Sequence, residues 1–139
     1  MAVRKGDQAE GKLKVIEYSR QLTQYTYEKV RGRTFPKSDK WIMAKSIWED
    51  VSAAHAKIRR ANRLHLDYAT EAEERLKLEG EVIGHLDSAA SLIDTCHIVG
   101  VISENQVEFW TKLITETQRY AMAWQKSDRQ RYKTIINNQ

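Results

Sequence analysis

Three clusters of positively charged residues offer the clearest chemistry in this sequence. The clusters consist of Arg31, Arg33, Lys37 and Lys40; of Lys57, Arg59, Arg60 and Arg63; and of Lys126, Arg129, Arg131 and Lys133. Trp124 and Tyr132 are interleaved with the third cluster. Lys and Arg beside aromatic rings suit phosphate contact and base stacking on flexible nucleic acid. We therefore predict that these twelve residues bind nucleic acid. Helix capping by cations and a solvated basic tail would give the same pattern.

Charge is divided into blocks along the chain. Residues 1–65 hold 15 Lys or Arg and 7 Asp or Glu, residues 66–118 hold 3 and 11, and residues 119–139 hold 5 and 1. One interpretation is a basic face for an anionic partner and an acidic face for another contact. The other is that basic and acidic helices pair with each other inside one molecule. The sequence leaves both open.

The sequence contains few residues that could support metal-dependent or nucleophilic catalysis. A dinuclear metal site in a helical bundle needs Glu and Glu-x-x-His pairs on facing helices. His85 has no Glu three residues before it, and His97 has only Asp94 at that spacing. Cys96 and His97 are adjacent, so on a helix their side chains point about 100° apart. We expect no metal, no cofactor and no catalytic residue, and we predict that the protein is not an enzyme.

The composition is that of one soluble globular domain. Of 139 residues, 41% are hydrophobic and 30% are charged, which is enough apolar surface for a single core. No apolar run approaches the ~20 residues that span a bilayer, and no secretory signal follows Met1. Cys96 is the only cysteine, which excludes an internal disulfide and fits a reducing compartment. We expect a cytoplasmic protein with no membrane span.

Hydrophobic periodicity predicts four helices. Residues at spacings of three and four indicate helices at about 9–30, 39–62, 67–97 and 103–131. The short connections between them favour an all-α, up-down-up-down four-helix bundle as one domain over residues 1–139. The segments at about 1–8 and 132–139 are expected to be frayed tails.

Local residues mark where these helices begin and end. Pro36 forces the first helix to stop by Phe35, and Phe35 should pack under the corner that follows. Ser38 or Asp39 can cap the second helix. Gly100 suits the end of the third helix. Residues 103–106, Ser-Glu-Asn-Gln, form a capping-box pattern at the start of the fourth.

The apolar faces are wide. The main stripes are expected at Leu13, Ile16, Thr23, Tyr27 and Val30 with Val15, Leu22 and Tyr25 beside them; at Trp41, Ala44, Ile47, Trp48, Val51, Ala54 and Ile58; at Ala69, Ala72, Leu76, Ile83, Leu86, Ala90 and Ile93; and at Val107, Trp110, Ile114, Thr117, Ala121 and Trp124. Additional apolar residues lie off these stripes: Val82, Ala89, Cys96, Phe109, Leu113 and Tyr120. They indicate either a second buried contact, as in an oligomer, or a wide core within one chain.

Several short motifs resemble a known family. They are Phe-Pro-Lys-Ser-Asp-Lys-Trp at residues 35–41, Leu-Asp at 66–67, Ile-Ser-Glu-Asn-Gln-Val at 102–107 and Trp-Gln-Lys at 124–126. Together they resemble the four-helix-bundle family of the accessory variability protein (Avd) of diversity-generating retroelements and the ribosomal-RNA intervening-sequence proteins. The resemblance covers about residues 13–127.

The Avd branch is the closer of the two. The intervening-sequence branch carries a Ser-Ile-Pro-x-Asn-Ile-Ala-Glu-Gly signature, whereas residues 46–54 here contain neither proline nor glycine. The resemblance implies a homopentamer that binds a reverse transcriptase and RNA or DNA and assists mutagenic complementary-DNA synthesis. The remaining hypotheses are an intervening-sequence-type bundle of unknown role and a helical protein–protein adaptor that binds no nucleic acid.

Overall fold

Four long helices make up the structure, a computed structural model that describes residues 5–138 and, within them, all side chains except those of 5–11, 13 and 41. Helix α1 is Lys5–Arg31, α3 is Ala69–Ile98 and α4 is Glu104–Asn137. Helix α2 consists of three consecutive segments: Lys37–Asp39, one π-helical turn at Lys40–Ala44, and Lys45–Arg63. The described residues contain no strand, so the all-α prediction with four helices is confirmed. None of the described helices combines the length and the apolar character needed to cross a membrane.

Two helices are longer than their periodicity predicted. Helix α1 begins at Lys5 instead of residue 9, and α4 continues to Asn137 instead of ending near residue 131. Residues 132–137, predicted to be part of a tail, are therefore helical. No proline or glycine follows Gly100 in the sequence, and the amide of Asn138 still donates to the carbonyl of Thr134 at 3.2 Å. Residues 1–4 and 139 of the predicted tails lie outside the described residues.

The cap of α2 differs from the prediction, whereas the other two caps agree with it. Helix α2 begins at Lys37 after Pro36, whose carbonyl accepts the amides of Asp39 and Lys40 at 3.0 Å each, and no side chain caps it. The prediction that Ser38 or Asp39 caps this helix was wrong, because proline pre-sets the backbone two residues earlier.

The connection between α3 and α4 follows its local sequence. Gly100 adopts φ of 81°. Its amide donates to His97, and the amide of Val101 donates to Cys96, which is the Schellman arrangement. Ser103 and Gln106 form the reciprocal capping box. These two predictions are confirmed because each depends only on residues a few positions apart.

Among the described side chains, the core faces of α2 and α4 match the predicted stripes, but the face of α1 does not. The side chains of Leu13 and Trp41, also predicted on these stripes, lie outside those described. Helix α1 buries Val15, Ser19, Leu22 and Thr26, while Tyr27, predicted on the stripe, is 47% exposed. Ser19 and Thr26 are buried because their hydroxyls find partners. Thr26 Oγ1 accepts from the indole nitrogen of Trp110 at 2.9 Å. The predicted stripe was therefore offset around the helix: Val15 and Leu22, placed beside it, lie on the buried face.

Most of the extra apolar residues belong to this core. Val82, Ala89 and Cys96 on α3 are at most 1% exposed, whereas Ala69, predicted on the main stripe, is exposed. On α4, Leu113 is also buried, but Phe109 is 51% exposed. A wide core within one chain therefore explains these residues on α3. It does not explain Phe109.

In two helix pairs, residues near the end of one helix contact residues near the start of the other. Between α1 and α4, Thr26 bonds to Trp110 while Tyr18 stacks on Tyr120, with ring centroids 5.3 Å apart. Between α2 and α3, the sulfur atoms of Met43 and Cys96 are 3.5 Å apart, while Arg60 bonds to Glu74 further along. These neighbouring helices are therefore antiparallel.

The two ends of the molecule differ in what holds them together. At one end Phe35 is buried, as predicted, with its ring edge-on to Trp110 at 6.4 Å; we call this the Phe35 end. At the other, Arg75 joins Leu64 to Asp128; we call this the Arg75 end.

Candidate nucleic-acid interface

The first basic cluster lies alone at the Phe35 end. Arg31, Arg33 and Lys37 are exposed, and Lys40 is half-buried. The guanidinium of Arg31 lies over the ring of Tyr27, 5.3 Å from its centroid. At 1.5 Å per helical residue, Lys37 and Arg63 are roughly 40 Å apart along α2. The structure therefore does not bring this cluster to the other two.

Two members of the second cluster are neutralised by acidic residues of α3. Lys57 lies 3.3 Å from Glu81. Arg60 donates to Glu74 Oε1 through Nε at 3.0 Å and Nη2 at 2.7 Å. At these two positions, basic residues of α2 therefore pair with acidic residues of α3, which is one of the two interpretations of the charge blocks.

Arg59 and Arg63 remain available in the second cluster. Both are exposed, and neither forms an ion pair with another residue that the structure describes. Together with Arg60, which is paired with Glu74, they line a shallow depression of about 320 Å³, and Ala56 and Leu64 are also in its wall. A phosphate can approach these two guanidinium groups without first displacing a carboxylate.

The third cluster forms a strip on the outside of α4. Successive helical residues turn by about 100°, which places Met122, Lys126, Arg129, Lys133 and Ile136 on one side. All five are exposed. The strip itself contains no acidic side chain, because the one nearby acid in this stretch, Asp128, is 1% exposed and faces the core.

Arg131 and Trp124 do not belong to this strip. Arg131 is exposed but its Nη1 lies 3.6 Å from Asp128. Trp124, expected to supply a stacking surface, is only 6% exposed, and Arg75 lies over its ring at 5.3 Å. The prediction that Trp124 stacks on bases was wrong, because its ring packs into the core. Tyr132 is half-buried.

Arg75 brings the second and third clusters to one end of the molecule. Its Nε and Nη2 donate to the two oxygens of Asp128 at 2.7 and 3.0 Å, and its Nη1 donates to the carbonyl of Leu64 at 2.9 Å. This fork ties the end of α2 to the start of α3 and the end of α4. Arg63, next to Leu64, and Arg129, next to Asp128, are thereby held at the same end.

A second buried acid lies beside this fork. Glu79 is 1% exposed, and its Oε2 is 3.7 Å from Arg75 Nε. Burial, together with the neighbouring Asp128 carboxylate, raises the pKa of Glu79 to about 10. Burial beside Asp128 therefore favours the protonated form of Glu79. Burial and the adjacent Arg75 also lower the pKa of Lys12 on α1.

Sequence reasoning missed this buried group because it treated all charges as solvent-exposed. A usable signal was present: Arg75 and Glu79 lie between Ala72 and Val82 at helical spacing on the core face. Charged residues inside an apolar stripe are buried with partners.

The histidines hold structural positions. His85 Nδ1 lies 3.0 Å from Asp50 and its Nε2 lies 2.8 Å from Lys57. Because an ammonium can only donate, Nε2 is the acceptor and Nδ1–H donates to Asp50. His55 Nδ1 is 2.7 Å from Ser19 Oγ, and burial, reinforced by Arg59, lowers its pKa. Across residues 5–138, no group of three or more His, Cys, Asp or Glu could hold a metal ion.

Comparison with known proteins adds no assignment. The chain matches no family model, no curated protein and no solved structure.

Proposed function

We propose that this chain is a non-catalytic accessory protein that binds nucleic acid through the Arg75 end. The observation that carries the proposal is a set of exposed cations from two helices, held at one end and free of ion pairs to other described residues: Arg59, Arg63, Lys126, Arg129 and Lys133. Such cations release counterions when they contact phosphates, so their binding is largely independent of sequence and weakens steeply with salt.

The spacing of these residues favours a flexible or extended strand. The cations on α4 follow one another at three and four residues along the outer face, and Met122 and Ile136 flank them with apolar surface. A backbone that runs along α4 can make successive phosphate contacts. Among the described residues, α2 packs on α1 and α3 rather than on α4, so α2 and α4 are diagonal in the bundle. The same strand must therefore cross the Arg75 end of the bundle to reach Arg59 and Arg63. Aromatic stacking plays a smaller part, because Trp124 is buried.

A matched pair of variants tests the surface. Arg59→Ala/Arg63→Ala removes two unpaired cations, and the control Lys57→Ala/Arg60→Ala removes the same charge from two cations already paired with Glu81 and Glu74. We expect the first pair to weaken binding of labelled single-stranded RNA and DNA by about tenfold, and to reduce the salt slope by about one for each phosphate that is no longer bound. The control should bind nearly as the unmodified chain does.

The outcomes separate the candidate surfaces. Equal loss in both variant pairs would show that only net charge matters. An unchanged affinity in Arg59→Ala/Arg63→Ala would leave α4, tested by Lys126→Ala/Arg129→Ala, as the binding surface. If the unmodified chain binds neither RNA nor DNA at low salt, the proposal fails and the hypothesis of a protein–protein adaptor takes its place.

The proposed cellular role rests on the motif resemblance. We propose that the protein supports mutagenic reverse transcription in a diversity-generating retroelement, in the cytoplasm, by binding the reverse transcriptase together with its template RNA or complementary DNA. A neighbouring reverse-transcriptase gene with a template–variable repeat pair would support this role. Their absence would favour an intervening-sequence-type protein. The antiparallel order of contacts supports the up-down-up-down topology that the short connections between the helices predict.

A further inference from the structure

The Arg75 end contains more buried polar groups than its hydrogen bonds use. Asp128 receives two hydrogen bonds from Arg75. In contrast, both carboxyl oxygens of Glu79 and the indole nitrogen of Trp124 are buried without a hydrogen-bond partner among the described residues. Buried polar atoms that lack partners are costly. The packing of this end therefore depends on how the buried carboxyl group of Glu79 is accommodated.

The charges around Glu79 come from three helices. Arg75 is on the same helix, Asp128 and Arg131 are on α4, and Lys12 is on α1. Helix α2 contributes the carbonyl of Leu64, which accepts from Arg75. Arg75 and Asp128 already neutralise each other, with Nε and Oδ2 only 2.7 Å apart. A negative charge on Glu79, whose Oε2 lies 3.7 Å from Arg75 Nε, would therefore have to share this guanidinium with Asp128.

We propose that the proton on Glu79 is a latch: while Glu79 holds it, α3 and α4 close around the Arg75–Asp128 pair, and its loss drives the C-terminal part of α4 away from α3. Loss of the proton places a second carboxylate beside Asp128 in a site with almost no solvent. Water can then solvate the new charge only if the two helices separate locally. The proton leaves to bulk water or to a basic buffer, and no other bond changes.

The direction of the effect with pH follows from the same geometry. Burial raises the pKa of Glu79 to about 10, above the ordinary value of the unfolded chain. The folded state therefore holds this proton more tightly, so its contribution to stability is fully present below the ordinary pKa of a glutamic acid and is lost as pH rises towards about 10. The pKa of Lys12 is lowered by burial and then by Arg75. Its effect on stability has the opposite sign, because the folded state favours the neutral amine.

Fluorine NMR of the chain labelled with 5-fluorotryptophan can follow the latch. Trp124 lies under Arg75 and reports on this end, whereas Trp110 lies beside Phe35 at the other end and is an internal control. We expect the Trp124 resonance to pass through one transition as pH rises from about 7 to 10.5, with the Trp110 resonance unchanged. Trypsin cleavage after Lys126 and Arg129, corrected with a short peptide substrate, should rise severalfold over the same range.

Three substitutions identify the titrating group. Glu79→Gln mimics the protonated acid, so it should abolish both the transition and the rise in cleavage. Glu73→Gln, an exposed acid on the same helix, should leave both unchanged. Asp128→Asn removes the neighbouring negative charge and frees Arg75 for Glu79, so it should move the Trp124 transition down by at least one pH unit.

Three results would overturn the proposal. The first is a Trp124 transition that persists in Glu79→Gln. The second is an unmodified chain whose Trp124 resonance does not change up to pH 10.5. The third is a transition without increased cleavage, which would show that Glu79 ionises while α4 stays in place.

Discussion

At the scale of single residues, Arg75 and Asp128 form the interaction on which the most structure depends. A buried ion pair that loses one partner leaves an uncompensated charge, which costs about 3–5 kcal/mol. Asp128→Ala should therefore lower the free energy of unfolding by about that amount in urea denaturation at pH 7. Replacing both residues, as in Arg75→Met/Asp128→Leu, should cost less than Asp128→Ala alone. A double variant as unstable as the sum of the two single changes would contradict this reasoning.

Truncation of Phe35 tests how much its buried ring contributes to the stability of the Phe35 end. Its side chain is 2% exposed and packs edge-on against Trp110. We expect Phe35→Ala to reduce the free energy of unfolding by about 3 kcal/mol, as truncation of a buried Phe does. Thermal melting gives the measurement, and Phe109→Ala provides a control, since that ring is 51% exposed and should cost much less. Equal losses in the two variants would argue against a core role for Phe35.

Interactions between residues close together in the sequence could be predicted, whereas interactions between residues far apart in the sequence could not. Gly100 and Ser103 were identified correctly because their partners lie a few residues away. Thr26 and Trp110 are 84 positions apart, and Arg75 and Asp128 are 53 apart. Nothing local shows that Thr26 is satisfied inside the core or that Asp128 is the buried partner of Arg75. The core face of α1 and the Arg75–Asp128 pair were missed for this reason, whereas Arg75 and Glu79, four residues apart on α3, did carry a local signal.

At the scale of elements, the α3–α4 connection depends on one backbone conformation. Gly100 has φ of 81°, and a Cβ added there would meet no atom within 4 Å. The cost of Gly100→Ala is therefore conformational, and we expect a loss of about 1 kcal/mol in stability. Gly84 provides the matched control: it is inside α3, a Cβ there also meets nothing within 4 Å, and Gly84→Ala should stabilise by about 0.5–1 kcal/mol. Changes of the same sign in the two variants would contradict this account.

At the scale of the whole molecule, each end has its own exposed surface. The Arg75 end carries the unpaired cations of the proposed interface, with the exposed side chains of Tyr68, Met122 and Ile136 beside them. Towards the Phe35 end, large apolar side chains remain exposed that the core does not absorb: Ile42 at 66%, Ile98 at 74%, Val99 at 57% and Phe109 at 51%. The Phe35 end also exposes Arg31, Arg33 and Lys37, so both ends combine cations with apolar side chains. Exposed apolar side chains such as Ile98 and Phe109 suit a contact with protein.

The proposed homopentamer gives these exposed residues a partner. Five copies would also repeat the cations of the Arg75 end around a ring, so that weak contacts to one strand add by avidity. Light scattering coupled to size exclusion should then give about five times the 16.2 kDa mass of one chain. Ile98→Lys, whose new cation is compatible with the C-terminus of α3, should reduce this mass if the Phe35 end carries the contact. Ile136→Lys, at the other end, should leave it unchanged. A single species with the mass of one chain at micromolar concentration would refute the assembly, and nucleic-acid binding would then have to arise from one copy of the Arg75 end.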